Sequence, residues 1–111
     1  DWRTVPEALL RGTRAAPEAC LLLWYPVKSL TRPNAMMDRL AAAGVAGVAA
    51  ELITTPLAHQ RRRLNGSGVL CLRAPEAALA AVAAAAPAIA ARCATFAGEW
   101  TFRLRAFAGA R

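Results

Sequence analysis

A run of three arginines, Arg61, Arg62 and Arg63, is the segment best suited to bind an anion. Each guanidinium presents a planar fork of donors that matches two oxygens of a phosphate group. Lys28 and Arg32 add positive charge after a separate apolar segment. We predict that the three arginines and Lys28 contact the phosphates of a substrate, although a solvated loop is the commoner environment of such a run.

The arginine run is followed by Asn65-Gly66-Ser67-Gly68, which combines polar side chains with glycines. Asn65 and Ser67 can hydrogen-bond a base or a phosphate, and the glycines allow another backbone to approach closely. Asn-Gly is also a frequent signal of a tight turn between antiparallel strands. We therefore predict a turn here and assign Asn65 and Ser67 to substrate binding, two roles that are compatible.

A third candidate segment is Trp24-Tyr25-Pro26, which closes a continuous apolar run over residues 19–25. If that run is a parallel strand, these residues lie at its carboxyl end, where open α/β sheets bind their ligands. Tyr25 and Pro26 fit a pocket wall and core packing equally well, whereas Trp24 fits the core better. We predict Tyr25 and Pro26 as substrate-binding residues.

The other titratable residues indicate no catalytic constellation. His59 is the only histidine, and it has no cysteine, histidine or carboxylate at metal-ligand spacing, so we predict no metal site. Asp38, Glu51 and Glu76 are scattered, and no two of them form a pair for acid–base work. There is no phosphate-binding loop and no nucleophile elbow. We predict no catalytic and no cofactor-binding residue within the chain.

The charge balance favours a polyanionic partner. The 111 residues contain 14 Lys and Arg against 7 acidic residues, a net charge of +7, and binding to nucleic acid would release condensed counterions. The three cysteines form no C-x-x-C pair, which fits a reducing cytoplasm. The apolar residues 77–91 are interrupted by Pro87 and are fewer than the roughly 20 that span a bilayer, so we predict no membrane segment.

Hydrophobic periodicity predicts alternating helices and strands. Thr4 and Glu7 have the spacing of a capping box, so a first helix should begin there and end before Pro17. The apolar run of residues 19–25 is typical of a central strand covered on both faces, as in parallel sheets.

A second helix should begin at residues 31–33, where proline is tolerated in the first turn. Met36, Met37 and Leu40 supply its buried stripe, and Gly44 should end it.

The second half of the chain predicts two strands, a long helix and a final strand. Residues 45–55 and 69–72 form the strands, joined by a polar basic loop over residues 56–67. An alanine-rich helix follows over residues 75–93, and Pro87 should kink or divide it. In the last strand, residues predicted to be buried alternate with solvent-exposed residues, two of them basic. The predicted buried residues are Trp100, Phe102, Leu104 and Ala106, and the predicted wet residues are Thr101, Arg103 and Arg105.

Two motifs in this order resemble the bacterial large-subunit (23S) ribosomal RNA adenine methyltransferases of the RlmJ type. The first is Leu-Leu-Leu-Trp-Tyr-Pro-Val-Lys, residues 21–28, and the second is Leu-Asn-Gly-Ser-Gly, residues 64–68, followed by a new apolar strand. The resemblance extends from Thr4 to about Phe107. One departure is Arg73-Ala74-Pro75, where the family tends to have Asn-Pro-Pro.

The resemblance implies transfer of a methyl group from S-adenosylmethionine to the exocyclic amine of an adenine in ribosomal RNA, with the base flipped out of its stack. The family's Asp-Pro-Pro-Tyr motif and glycine-containing cofactor loop are not in this sequence and would precede Asp1. Residues 1–111 would then be the C-terminal half of a single class I Rossmann-like α/β domain, a mixed sheet flanked by helices. The cofactor would be bound by the preceding half, and the chain alone would be inactive.

The residues themselves leave two alternatives to a methyltransferase function. The chain could be a non-enzymatic basic α/β module that binds nucleic acid through phosphate contacts. A role in the use of external DNA is attached to relatives of the family, but no carboxylate cluster suited to magnesium supports nuclease chemistry. For the methyltransferase we expect a cytoplasmic protein that is monomeric at full length.

Overall fold

The computed structural model describes residues 2–58 and 64–108. Three helices and four strands follow one another along the chain. They are α1 (Val5–Ala15), β1 (Leu21–Val27), α2 (Thr31–Ala42), β2 (Gly47–Ile53), β3 (Gly66–Leu72), α3 (Glu76–Cys93) and β4 (Thr101–Phe107).

Helix α1 begins after Thr4 and ends before Pro17, as the sequence predicts. Pro6 lies in the first turn, where its missing N–H is not needed, and Glu7 adds a negative charge near the helix N-terminus. Thr4 is the N-cap residue, but its side chain makes no capping hydrogen bond, so the predicted capping box does not form. Pro6 and Leu10 are buried, and the helix ends before Pro17 as expected.

Helix α2 confirms its predicted bounds and its buried face. Pro33, Met36, Met37 and Leu40 are all buried. Gly44, just beyond the helix, has a φ of +84°, a left-handed conformation that glycine adopts without steric cost. The chain therefore turns sharply from α2 into β2.

The sheet has the order β1-β3-β2-β4, and every neighbouring pair is antiparallel. The predicted mixed sheet with a central β1 is therefore wrong for the described residues. Because β1 and β2 are both antiparallel to β3, they run parallel to each other, joined through α2 with β3 between them. The helix–strand alternation revealed their common direction, but it could not reveal the strand inserted between them.

Strand β3 begins earlier than the sequence predicts. Gly66 and Gly68 lie within the strand, so the expected turn at residues 65–68 does not exist. A Cβ atom on Gly66 would lie 2.1 Å from the carbonyl oxygen of Leu52. The glycine is needed because the neighbouring strand approaches closely, and not because the chain turns.

The two faces of the sheet are covered differently. Helices α1 and α2 lie on one face and enclose the core. Helix α3 packs against β2 and β4, and only its Ala86 and Ala90 are buried. The core residues are Leu10, Tyr25, Val27, Met36, Met37, Leu40, Ala49, Ile53, Leu70 and Leu72.

Helix α3 is a single helix across Pro87, so the predicted division does not occur. It has 18 residues and a mean hydropathy of 1.4, which by length and composition alone would be enough to cross a membrane. Val82 and Ile89 on its surface are 45 % and 52 % exposed. A single alanine-rich helix of this kind is weak support for a membrane span, since helices that pack within soluble proteins have the same composition.

Arg73 connects β3 to the end of α1. Its φ is +59°, which is uncommon for a residue other than glycine. Its guanidinium donates hydrogen bonds to the carbonyl oxygens of Thr13, Ala16 and Ala19, at 3.4, 3.2 and 3.3 Å. A cation is favourable at this end of a helix, where the last carbonyls lack intrahelical partners.

We predict that Arg73→Ala lowers the free energy of unfolding by about 1–2 kcal/mol, since it removes these hydrogen bonds and keeps the unfavourable φ. Arg73→Gly should cost roughly 1 kcal/mol less, because glycine tolerates the same φ. Urea denaturation measures both, with the exposed Arg11→Ala on α1 as the control. Equal stability of Arg73→Ala and wild type would show that the contacts contribute nothing.

Candidate nucleic-acid interface and the buried network beneath it

Glu51 lies in the middle of the sheet, on the face that α1 and α2 cover, and has no exposed surface. Its partners across the strands are Gly68 on β3 and Arg103 on β4. Gly68 is in turn opposite Tyr25 on β1. Four residues therefore form one row across all four strands.

Each of the two carboxylate oxygens of Glu51 accepts two hydrogen bonds. Tyr25 donates its hydroxyl to Oε2 at 2.7 Å, and Arg103 donates Nε to Oε1 at 3.2 Å. Arg105 binds in a bidentate manner, with Nε 2.6 Å from Oε1 and Nη2 2.9 Å from Oε2. Arg105 also donates Nη1 to Oδ1 of Asn34 on α2, at 2.6 Å. We call these five residues the Glu51 network.

The network shifts the acidities of its members in opposite directions. Burial alone would raise the pKa of Glu51, but the hydrogen bonds from Arg105 and Tyr25 and the charges of both arginines hold it below the ordinary 4.5. Burial, together with the hydrogen bond to the Glu51 carboxylate and its charge, raises the pKa of Tyr25 well above the ordinary 10.0. The stable state of the pair is therefore an ionised carboxylate and a neutral phenol.

Gly68 makes the contact between Tyr25 and Glu51 possible. A Cβ atom at this position would lie 2.2 Å from Cζ of Tyr25 and 2.4 Å from its hydroxyl oxygen. The tyrosine ring therefore lies directly across the backbone of β3 to reach the carboxylate on β2. Any side chain at position 68 would displace it.

The Glu51 network supports an open cleft at the starts of α1 and α2. The ring of Trp2 packs edge-on against Tyr25, with centroids 6.0 Å apart and an interplanar angle of 67°. Trp2 and Arg32 together line two cavities, of about 740 and 440 Å³. We call these cavities the basic cleft, and its lining residues are Trp2, Arg3, Pro6, Pro26, Lys28, Ser29, Thr31, Arg32, Pro33, Ala35, Met36 and Arg39.

Within the part of the chain that the structure describes, every charged residue that lines the basic cleft is a cation. The cations are Arg3, Lys28, Arg32 and Arg39. Arg39 also forms an ion pair with Glu7, which partly neutralises it. Ligand-binding cavities commonly have volumes of this size. The cleft is thus suited to an anionic ligand.

The structure places the predicted substrate-binding residues in different environments. Pro26 and Lys28 line the basic cleft, while Tyr25 is 2 % exposed and lies beneath it. Ser67 pairs with Pro26 in register but lies on the sheet face opposite Tyr25 and Glu51. The predicted arginines at 61–63 lie outside the described residues.

Asn65 is fully buried just before β3. Its Nδ2 donates to the carbonyl oxygens of Thr55 and Pro56, at 3.2 and 3.0 Å, and its backbone N–H donates to Val27 at 2.8 Å. These bonds fasten the segment that follows β2 to the end of β1. Substrate binding by Asn65 and Ser67 stays a prediction.

The Glu51 network was missed by sequence reasoning, which left Glu51 unpaired and placed both arginines of β4 in solvent. That expectation is wrong for Arg105, whose side chain is 24 % exposed, while that of Arg103 is 43 % exposed. Leu104, predicted to be buried, is 39 % exposed. A charge between buried Ala49 and Ile53 at strand spacing was the available signal, because such a carboxylate needs cationic partners.

Within residues 2–58 and 64–108, no three histidine, cysteine or carboxylate side chains are grouped so as to hold a metal ion. Cys20, Cys71 and Cys93 are free, and Cys71 is the buried one. Burial and the nearby Cys20 raise the pKa of the Cys71 thiol. This keeps the thiol in its unreactive protonated form.

A family model described as ribosomal RNA large subunit methyltransferase D, RlmJ, matches residues 1–106. The chain belongs to the RlmJ family. No curated protein matches it. The fold of this RlmJ-family chain is similar to the crystal structure of a Legionella pneumophila strain Philadelphia 1 protein described under the family model DUF519, with a TM-score of 0.80 and 14 % sequence identity. The likeness covers 99 % of this chain and 39 % of that one, so the chain spans well under half of its structural neighbour.

We predict that Gly68→Ala lowers the free energy of unfolding by about 2–4 kcal/mol, because the added methyl group displaces Tyr25 and breaks its hydrogen bond to Glu51. Ser67→Ala, on the opposite face, is the matched control and should cost less than about 1 kcal/mol. Tyr25→Ala should be less costly in the Gly68→Ala background than in wild type. Strictly additive losses in urea denaturation would argue against the steric contact.

Tyr25→Phe should change how stability depends on pH. Tyr25 has a raised pKa in the folded state, so its contribution is complete below the ordinary pKa of 10.0 and is lost as the pH rises above it. The stability difference between wild type and Tyr25→Phe should be constant from about pH 6 to 9 and shrink above pH 10, by up to about 1.4 kcal/mol per unit. Both proteins should lose stability below pH 4.5, since Glu51 has a lowered pKa.

The measurement is urea denaturation of both proteins at each pH, and Tyr25 is the only tyrosine among the 111 residues. A stability difference that does not change between pH 9 and 11 would mean that the phenol does not depend on its contact with Glu51.

Proposed function

We propose that this chain is the carboxy-terminal part of an S-adenosylmethionine-dependent methyltransferase that modifies the exocyclic amine of an adenine in large-subunit ribosomal RNA. The main support is the family match, which extends over residues 1–106 of 111. The family description names the RNA and the reaction class. The choice of adenine as the target and of S-adenosylmethionine as the methyl donor is inferred from the resemblance of the two sequence motifs.

Strand β1, one of the two edge strands of the described sheet, supports a larger parent protein. Among the described strands, β1 pairs with β3 alone. Leu22 and Trp24 on β1 are 65 % and 59 % exposed. An open edge beside exposed apolar side chains is prone to aggregation unless further chain covers it. We infer that the preceding half of the methyltransferase domain adds strands at β1 and covers this surface.

The basic cleft does not fit the cofactor. S-adenosylmethionine has a sulfonium and an ammonium group, and among the described residues no carboxylate lines the cleft to balance them. The cofactor supplies an electrophilic methyl group when it is bound. In our proposal the preceding half of the domain binds it, while the described residues orient the RNA.

The proposed roles of Pro26, Lys28 and Tyr25 follow from where these residues lie. Pro26 and Lys28 contact the RNA directly, because they line the cleft. Tyr25 acts through Trp2, whose ring it supports. The arginines at 61–63, together with Asn65 and Ser67, stay in the proposed substrate-binding set on the sequence pattern alone, since Asn65 is fully buried and Ser67 lies on the other face of the sheet. We further propose that the parent protein is cytoplasmic and monomeric.

Methyl transfer by the natural full-length protein tests the proposal. With S-adenosylmethionine labelled in its methyl group and an unmodified large-subunit ribosomal RNA transcript, we expect label on the exocyclic amine of adenosine after digestion and mass spectrometry. Residues 1–111 alone serve as the inactive control. Cofactor binding without transfer to this RNA, or label on another base, would contradict the proposal. RNA binding without cofactor binding would favour a non-enzymatic module.

A further inference from the structure

We propose that the basic cleft binds a single-stranded segment of RNA, with a base stacked on Trp2 and the flanking phosphates paired with Arg32 and Lys28. The inference rests on the proposed function, because it names the part of the substrate that this half of the protein holds. It concerns residues that neither the family description nor the two sequence motifs assign to RNA, apart from Lys28.

The charges around the cleft favour a phosphate ligand. Arg32 lines both cavities, and Lys28 lines the smaller one. Arg3 extends the same charge at the start of α1. A guanidinium and an ammonium group in one open cleft, with no carboxylate among its described lining residues, suit successive phosphates of a nucleic-acid backbone.

The aromatic ring in the cleft favours an unpaired base. Trp2 is half-buried and lines both cavities, while the edge contact with Tyr25 supports its ring. Proteins that bind single strands combine such a stacking surface with a positive groove, because every base has a π-face. A duplex keeps its bases stacked and its major groove narrow, so it could not use this surface.

The Glu51 network contacts both the stacking ring and the helix that carries Arg32. Tyr25 supports Trp2 from below, and Arg105 ties the carboxylate to Asn34 on α2, the helix that begins with Thr31 and Arg32. The stacking ring and the arginine are thus positioned by one hydrogen-bonded group. Such support holds a binding site in its productive geometry before the ligand arrives.

The experiment uses the natural full-length protein and three probes. These are a short oligouridine, a duplex RNA of equal length and an unmodified large-subunit ribosomal RNA transcript. The variants are Arg32→Ala, Trp2→Ala and Trp2→Phe. Arg92→Ala, on the exposed end of α3, is the matched charge control.

We expect Arg32→Ala to weaken oligouridine binding about tenfold and to reduce the slope of log K against log salt by about 0.7. Trp2→Ala should weaken binding roughly tenfold, while Trp2→Phe retains most of the affinity because it retains a stacking ring. The KM for RNA should rise, with kcat and the KM for S-adenosylmethionine within about twofold of wild type. Arg92→Ala should behave as wild type.

Three results would overturn the inference. The first is that Arg32→Ala and Trp2→Ala bind RNA as tightly as Arg92→Ala does. The second is that wild type binds the duplex as tightly as the single strand. The third is that the variants lose cofactor binding together with RNA binding, which would mean that the cleft packs against the rest of the protein.

The two proposals fail in different ways. If the variants weaken RNA binding as expected but wild type transfers no methyl group, the cleft is supported and the methyltransferase proposal is wrong. If wild type methylates RNA and the variants show normal KM and affinity, the enzyme is supported and the cleft inference is wrong.

Discussion

Glu51 brings a carboxylate with no exposed surface into the middle of an antiparallel sheet, where an unpaired charge would cost several kcal/mol. Each of the other three strands contributes a residue that allows the carboxylate to be buried. Strand β1 supplies the hydroxyl of Tyr25, β3 supplies a glycine that lets the tyrosine pass, and β4 supplies two guanidinium groups. One buried charge thus determines residue types on all four strands.

The network specifies the arrangement of the sheet more than it adds to its stability. Burying charges costs nearly as much as their pairing returns, so ion pairs of this kind often contribute little net stability. Buried ion pairs do favour one pairing register of two strands over the alternatives. A shift of β4 by one residue would turn Arg103 and Arg105 to the opposite face and leave Glu51 unpaired. Because Arg105 also binds Asn34, the same contact sets where α2 lies on the sheet, and with it one wall of the basic cleft.

The parts of the fold that the sequence predicted depend on local patterns. Helices α1 and α2, with their buried faces, follow from apolar spacing and from prolines and glycines near their ends. The strand order, the glycines inside β3 and the burial of Arg105 depend on contacts between segments far apart in the chain. Gly68 is the clearest example, since its need for a hydrogen side chain arises from Tyr25, which lies far earlier in the chain on a neighbouring strand. No local pattern separates such a glycine from one in a turn.

Two exposed surfaces among the described residues lie where the proposed roles need them. Apolar exposure lies at Leu22 and Trp24 on β1 and along α3, while positive charge and an open cavity lie at the starts of α1 and α2. The two meet where β1 ends, because Pro26 follows Trp24 by one strand repeat and lines the cleft. In our proposal the preceding half of the domain adds strands beside β1, and residues 24–26 of β1 line a small pocket together with Trp2. A base held near Trp2 would then lie close to where the two halves of the domain meet.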